Sequence, residues 1–249
     1  MPTLKPCLAA IITLALYLSP AAAQAALTIS TTRIVLPSNK QSSTVVVANP
    51  SKSTYAVQAW VNTEQDDTTT AVPLVASPAL FRLDPGSQQT VQINNLPNQL
   101  PEDRESLFFF NAQEIPQQRD EDAAQNSLTI ALRTRIKLFY RPAALSGKPE
   151  QQLADLKWSL QTDQGTTYVV VDNPTAFHYT FGRLELTVAG QTERLEAREM
   201  VAPMSRQRYA VASHKVNSPA SLLFTTINDF GGATPEITQA LTPVDALER

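Results

Sequence analysis

Apolar and polar residues alternate with a period of two along many short stretches of this chain, and no long stretch has the 3.6-residue period of an amphipathic helix. Proline-containing turns such as Asn49-Pro50 and Asn173-Pro174 separate these stretches. Many short strands with frequent turns favour an all-β fold of sandwiches over a βαβ fold. Strands are predicted over residues 27–29 with Val35, and over residues 44–48, 55–61, 90–93, 107–111, 128–140, 168–171, 179–188 and 222–227.

The two halves of the chain also resemble each other. The segment VVVANPSKSTY ends at Tyr55 and the segment VVVDNPTAFHY ends at Tyr179, and each tyrosine lies five residues after the proline of an Asn-Pro turn. Further along, PGSQQ from Pro85 is echoed in the same order by PMSRQ from Pro203. Two tandem copies of one sandwich would give this order, although Asn-Pro turns are also common in any β protein.

We expect three parts along the chain. Residues 1–25 have the features of an export signal, with Lys5 before an apolar stretch and a small-residue cleavage site at its end. The alternative is a membrane anchor, but the apolar stretch is shorter than the roughly 20 residues that span a bilayer. The N-terminal domain is expected over residues 26–143 and the C-terminal domain over residues 144–249, because RPAALSGKP interrupts the pattern between them. We expect no membrane insertion of the mature chain.

The composition narrows the possible functions. Lys and Arg total 20 against 23 Asp and Glu, and this net charge of −3 disfavours a nucleic-acid-binding surface. Two histidines, His178 and His214, and the single Cys7 provide almost nothing for a zinc site or a thiol nucleophile. No hydrolase motif surrounds any serine, and the seven glycines are scattered rather than gathered in a loop that binds ATP phosphates. We therefore expect no enzyme, no catalytic residue, no metal and no cofactor.

One predicted strand is unusually long. Apolar residues alternate from Leu128 to Leu138 over 11 residues, interrupted only by Thr134. At about 3.3 Å per residue the row spans roughly 36 Å, which exceeds a common strand of about 5–6 residues. Its first half either projects beyond the core and pairs with another protein by strand addition, or belongs to a long buried strand.

A charged residue interrupts the first apolar pattern. Arg33 shares its alternation with Leu27, Ile29 and Val35, so a cation occupies what should be an inward face. Either the strand has a bulge or switches sheets at this point, or Arg33 faces a cleft that binds an anion.

Four segments resemble the periplasmic pilus chaperones of the PapD type, which have two immunoglobulin-like domains set at an angle with a ligand cleft between them. LPEDRESLFFFNAQEIP, which ends at Pro116, is similar to the family signature, and LTIALRTRIKLFYRPAAL from Leu128 is similar to its G1 strand and linker. TTRIVL and TINDFGG resemble motifs of the first strand and of the second domain. The moderately short loop from Ile115 to Leu128 resembles the branch that assembles rod-like pili.

The resemblance implies three groups of functional residues. Arg33 and Lys137 match the basic pair that holds the C-terminal carboxylate of a pilus subunit. Residues of the donor strand that enter the subunit groove, and charged residues of an inter-domain network, are implied as well, and Ser77-Pro78 matches a cis peptide. The donor-strand residues are Leu128, Ile130 and Leu132, and the network residues are Glu105, Arg141 and Asp229.

The function implied by the resemblance is that of a periplasmic chaperone. It caps pilus or fimbrial subunits that lack their last strand by lending one, and it delivers them to an outer-membrane usher without ATP. The alternative is a structural pilin-like or adhesive immunoglobulin-like module. Such a module would carry its own donor extension, and the residues before Arg33 in the mature chain, ALTISTT, are too few for one.

Overall fold

The computed structural model describes residues 27–67, 69–116, 130–212 and 219–241. The predicted signal peptide, Leu128 and His214 lie outside the described residues. Apart from one short 3₁₀ helix, Pro149–Asp155, the regular elements of the described residues are β-strands.

The first sandwich is formed by β1 to β9. One sheet has the strand order β1-β3-β7-β5 and the other has the order β2-β9-β8-β4-β6. Neighbouring strands are antiparallel, except that β2 and β9 run parallel. The strands are β1 (Thr28–Ile29), β2 (Arg33–Pro37), β3 (Ser42–Ala48), β4 (Tyr55–Asn62), β5 (Leu74–Ser77), β6 (Leu80–Leu83), β7 (Gln88–Asn95), β8 (Ser106–Pro116) and β9 (Arg133–Arg141).

The second sandwich is formed by β10 to β16, all paired antiparallel. One sheet has the order β10-β11-β14 and the other has the order β13-β12-β15-β16. The strands are β10 (Lys157–Asp163), β11 (Thr166–Asn173), β12 (Phe181–Val188), β13 (Gln191–Arg194), β14 (Ser205–Ala210), β15 (Ala220–Thr226) and β16 (Ile237–Leu241).

Each sandwich has its own hydrophobic core, because alternate residues of its two sheets point inward. Val47 and Phe110 are fully buried from opposite sheets of the first sandwich. In the second, the ring of Trp158 lies 5.2 Å from that of Phe181 and 5.0 Å from that of Phe224. Burial of each such side chain contributes roughly 1.5–3 kcal/mol. The prediction of an all-β fold with two sandwiches is confirmed.

The strand predicted over residues 128–140 is shorter than expected. Its ladder with β8 ends at the pair Gln113 and Arg133, and β9 begins there. Ile130 and Leu132 precede it with 63% and 54% of their surface exposed. The alternation of apolar residues continues past the end of the sandwich, so periodicity alone overestimated the length of the strand. The exposure of Ile130 and Leu132 agrees with projection beyond the core, and pairing with another protein stays a prediction.

The first apolar pattern is divided between two sheets. β1 pairs with β3, whereas β2 pairs with β9 of the opposite sheet, so the chain switches sheets between Ile29 and Arg33. After the switch Ile34 and Leu36 point into the core, and Arg33 lies on the outer face.

The Ser77-Pro78 peptide is cis.

The first Asn-Pro turn is built around a buried asparagine. The Nδ2 of Asn49 donates to the carbonyl oxygens of Ser53 at 2.7 Å and Leu83 at 3.0 Å. Its Oδ1 accepts a hydrogen bond from the backbone N–H of Ser51 at 3.0 Å. The side chain thus satisfies backbone groups that the turn removes from the ladder.

The second Asn-Pro turn repeats this arrangement. The Nδ2 of Asn173 donates to the carbonyl oxygens of Phe177 at 2.8 Å and Ala202 at 2.7 Å. Its Oδ1 accepts a hydrogen bond from the N–H of Thr175 at 3.0 Å. The same contacts at equivalent positions support the interpretation of the sequence repeat as two copies of one sandwich.

Replacement of Asn173 by alanine should destabilise the second sandwich. Two carbonyl oxygens would lose their donor, and an unsatisfied buried polar group costs about 1–3 kcal/mol. The free energy of unfolding, measured by urea titration, should fall by at least that amount. Gln161→Ala on the exposed face of β10 serves as control and should change it by less than about 0.5 kcal/mol. Equal effects of the two substitutions would contradict the structural role of the turn.

Candidate functional site

Two cations lie side by side where the sandwiches meet. Arg33 of β2 is directly opposite Lys137 of β9. The Nη1 of Arg33 donates to the carbonyl oxygen of Ile227 at 2.7 Å, and the Nζ of Lys137 donates to the Oγ1 of Thr180 at 2.9 Å. Both acceptors belong to the second sandwich, so the pair faces the cleft between the two domains.

Burial and mutual repulsion raise the free energy of the charged pair. Burial lowers the pKa of Lys137 to about 8, and the positive charge of Arg33 acts in the same direction. Burial also lowers the pKa of Arg33, while the carboxylates of Asp229 and Glu105 oppose this shift. Only 8% of the Arg33 surface is exposed. An anion bound here would relieve the repulsion.

Both cations keep hydrogen-bond donors that the described residues do not use. The ammonium group of Lys137 has three N–H groups, and among the described residues it donates one hydrogen bond, to Thr180. Arg33 makes one side-chain hydrogen bond, to Ile227, and its buried Nε has no partner among the described residues. Two adjacent cations with spare donors can hold a carboxylate by charge-assisted hydrogen bonds.

A second group of charged side chains joins the two domains. The guanidinium of Arg141 donates from Nε to Glu105 at 2.6 Å and from its two terminal nitrogens to Asp229 at 2.6 and 2.8 Å. Glu105 directly precedes β8 of the first domain, whereas Asp229 belongs to the second domain. The structure thus brings together the three residues that the resemblance assigns to a network.

The network also contains a residue that the sequence did not identify. The backbone N–H of His178 donates to the Oε2 of Glu105 at 2.8 Å, and its Nδ1 lies 3.3 Å from the same oxygen. The backbone N–H of Glu105 in turn donates to the carbonyl oxygen of Ala176 at 2.9 Å. His178 also packs on Phe139, with ring centroids 5.6 Å apart. The sequence shows that His178 lies within the second Asn-Pro repeat, but it does not show which residues that turn contacts.

The segment before β9 has an open edge. β2 pairs with β9 only from Lys137 onward, and no described strand lies beside residues 133–136 on that side. Ile130 and Leu132 continue this edge with exposed side chains. Leu128, the third predicted donor residue, lies outside the described residues. Unpaired strand edges with exposed apolar side chains favour pairing with another strand.

Two arginines of β9 attach the beginning of this strand to the sandwich. The guanidinium of Arg133 donates to Asn111 at 3.0 Å from Nε, and it forms an ion pair with Asp66. Arg135 donates to the carbonyl oxygen of Thr63 at 2.7 Å and lies 3.7 Å above the ring centroid of Phe109. The open edge therefore projects from a well-anchored strand.

Within the described ranges, no cluster of three or more His, Cys, Asp or Glu side chains could hold a metal ion. In the same ranges, no helix has the length and apolar character needed to cross a membrane.

Two sequence profiles match the chain. The profile described as "Pili and flagellar-assembly chaperone, PapD N-terminal domain" matches residues 26–146. The profile described as "Pili assembly chaperone PapD, C-terminal domain" matches residues 151–238.

Individual relatives agree with these profiles. The chain is 37% identical over 213 residues to the probable fimbrial chaperone YadV of Escherichia coli K12, covering 82% of this chain and 86% of YadV. A crystal structure of YadV chaperone superposes with a TM-score of 0.75 at 33% identity, covering 87% of this chain and 100% of that chain. A chain from the Salmonella enterica SafA pilin in complex with the SafB chaperone gives 0.74 at 25% identity, covering 89% and 99%.

Loss of the Asp229 carboxylate should loosen the joint between the domains. Asp229→Ala removes both bonds to the terminal nitrogens of Arg141, while each sandwich keeps its own core. Small-angle X-ray scattering should show a broader distribution of inter-domain distances, and breaking this partly buried pair should cost up to about 3–5 kcal/mol. Glu236→Ala, which removes an exposed partner of Arg183, should cost less than about 1 kcal/mol and leave the scattering unchanged. An unchanged profile for Asp229→Ala would exclude the hinge role.

Because the pKa of Lys137 is lowered, the free energy of unfolding should depend on pH above about pH 8. Between pH 8 and the ordinary lysine value of 10.5, the folded chain has lost a proton that the unfolded chain still binds, so stability should rise with pH. Lys137→Met removes this titration. The variant should be more stable than the wild type at pH 7, where the buried ammonium is charged, and the difference should shrink towards pH 10. Urea titrations at several pH values test this, and a difference that stays constant with pH would contradict it.

Proposed function

The chain belongs to the family of PapD-type pilus-assembly chaperones, and we propose that it caps pilus or fimbrial subunits in the periplasm and hands them to an outer-membrane usher. The bound form of a subunit would contain a strand lent by this chain. No catalytic step is part of this function, because binding, exchange and release are all non-covalent.

The proposal rests on one observation. The open edge of β9, residues 133–136, ends at Lys137, which lies opposite Arg33. A subunit strand that extends along residues 133–136 would reach Arg33 and Lys137 with its last residue. A terminal carboxylate at this point would accept hydrogen bonds from both cations. Because only one alignment of the strand brings the carboxylate to the pair, the cations would fix its register.

The apolar side chains before β9 would supply most of the binding energy. A subunit without its last strand exposes an apolar groove, into which Ile130 and Leu132, together with Leu128, would insert. Each buried side chain would contribute roughly 1.5–3 kcal/mol. The backbone of the donated strand would satisfy the unpaired N–H and C=O groups of the groove. Release would then follow from competition by a better-fitting strand, with no need for ATP.

The export signal predicted over residues 1–25 supports the periplasmic location, and the usher would take up subunits from that compartment. The alternative function, a pilin-like or adhesive module, accounts for neither the paired cations in the cleft nor the exposed segment before β9. The proposal explains both features with one ligand.

The carboxylate contact can be tested by competition for a limiting subunit. A pilus subunit that co-purifies with this chain from the periplasm would be produced in two forms, one natural and one extended by two C-terminal residues, which displace the carboxylate. Tagged wild type and Lys137→Ala compete for each form, and mass spectrometry gives the partition. Loss of a charge-assisted partner should weaken binding of the natural subunit by ~2–5 kcal/mol. The extended subunit should be bound almost equally by both chains.

Lys157→Ala, which removes an exposed lysine of β10, serves as the matched control and should leave both partitions unchanged. If Lys137→Ala weakens binding of both subunit forms to the same extent, Lys137 does not contact the carboxylate and this part of the proposal is wrong.

A further inference from the structure

Glu114, near the end of β8, is an acidic residue whose side chain is buried. It lies on the core-facing side of β8, in alternation with Phe110 and Ala112, and only 3% of its surface is exposed. No ion pair compensates it among the described residues. Burial raises the pKa of its carboxyl group, and the hydrogen bond from Leu132 only partly opposes this shift. Burying a carboxyl group costs free energy. We therefore expect Glu114 to do something that an apolar residue at this position could not do.

The carboxyl group interrupts the ladder between β8 and β9. The backbone N–H of Glu114 donates to the carbonyl oxygen of Leu132 at 3.0 Å, as in a regular antiparallel pair. The return bond of a regular pair would run from the Leu132 N–H to the Glu114 carbonyl oxygen. The Leu132 N–H instead donates to the side-chain Oε1 of Glu114 at 3.3 Å. The last pair of the ladder is therefore Gln113 with Arg133, the residue after Leu132.

The contact leaves the open edge available. Successive residues of a strand direct their backbone groups to opposite sides. Leu132 directs its N–H and C=O towards β8, so those of Ala131 and Arg133 point towards the open edge. The bond to Glu114 can therefore persist while a second strand pairs along that edge.

We propose that Glu114 is a positioning residue for the donor segment. Its carboxyl oxygen holds the Leu132 N–H at the β8 side and ends the ladder there, so that the chain before Leu132 leaves the sandwich at a fixed point and in a fixed direction. Ile130 and Leu132 are then presented to a subunit groove instead of being paired further along the chaperone's own β8. This inference rests on the proposed function and adds a residue that sets the geometry of donation.

Hydrogen exchange of the Leu132 amide tests the contact without any subunit. Glu114→Gln keeps a side-chain oxygen acceptor of the same reach, whereas Glu114→Ala removes it. In NMR exchange experiments the Leu132 amide should be protected in the wild type and in Glu114→Gln, and it should exchange at least about tenfold faster in Glu114→Ala. Gln113→Ala, on the opposite face of β8, should have no effect. Equal Leu132 exchange in all four chains would overturn the proposal, and so would failure of the glutamine variant to preserve protection.

Competition for a limiting subunit tests the consequence. In the partition experiment Glu114→Ala should bind the co-purifying pilus subunit roughly 3- to 10-fold more weakly than the wild type, the effect of one lost hydrogen bond of typical strength. Glu114→Gln should bind within about twofold of the wild type. Urea titration of each variant establishes that the chains compared are folded.

Ile130→Ala separates failure of this inference from failure of the proposed function. If Ile130→Ala weakens subunit binding and Glu114→Ala does not, donation occurs without positioning by Glu114, and the inference is overturned alone. If Ile130→Ala has no effect, strand donation by this segment is itself wrong, and the positioning role is overturned with it. The exchange of the Leu132 amide would still report whether the contact exists.

Discussion

The Arg141 guanidinium between Glu105 and Asp229 is the interaction on which the geometry of the cleft depends. The planar guanidinium bonds to carboxylates of both domains and thereby fixes the position of one sandwich relative to the other. Lys137 bonds to Thr180 and Arg33 bonds to Ile227 across the same boundary. These contacts exist only while the domains keep their relative position. The charged joint would therefore act on the proposed carboxylate site through geometry rather than through direct contact with a ligand.

The structure separates the anchored beginning of β9 from the residues before it, which we propose to pair with a pilus subunit. The side chains of Arg133 and Arg135 are held by hydrogen bonds, an ion pair and aromatic contacts. Immediately before them, Ile130 and Leu132 are largely exposed. An apolar strand edge would normally be an aggregation hazard. Here the described part of the edge, residues 130–136, is continuous with a well-anchored strand, so it offers one defined pairing edge.

The strands with one buried apolar face could be predicted from alternation, as β3 and β7 illustrate. β13 and β14 could not be, because β13 has no buried residue and β14 has only Tyr209. Arg33 and Lys137 were assigned through a family resemblance, since nothing within a strand shows which strand lies beside it. Their acceptors in the second sandwich depend on how the two domains pack, and local periodicity has no information on that packing.

The two buried Asn-Pro turns have the same architecture but different surroundings. In the first, Lys52 and Ser53 are exposed to solvent. In the second, the residues after Asn173 lead directly to Ala176 and His178, which bind Glu105 of the other domain. An insertion in the first turn would disturb the hydrogen bonds that Asn49 makes within that turn, and it would leave the joint between the domains unchanged. In the second turn even one added residue would also displace the joint, so the same change of loop length costs more in the second turn than in the first.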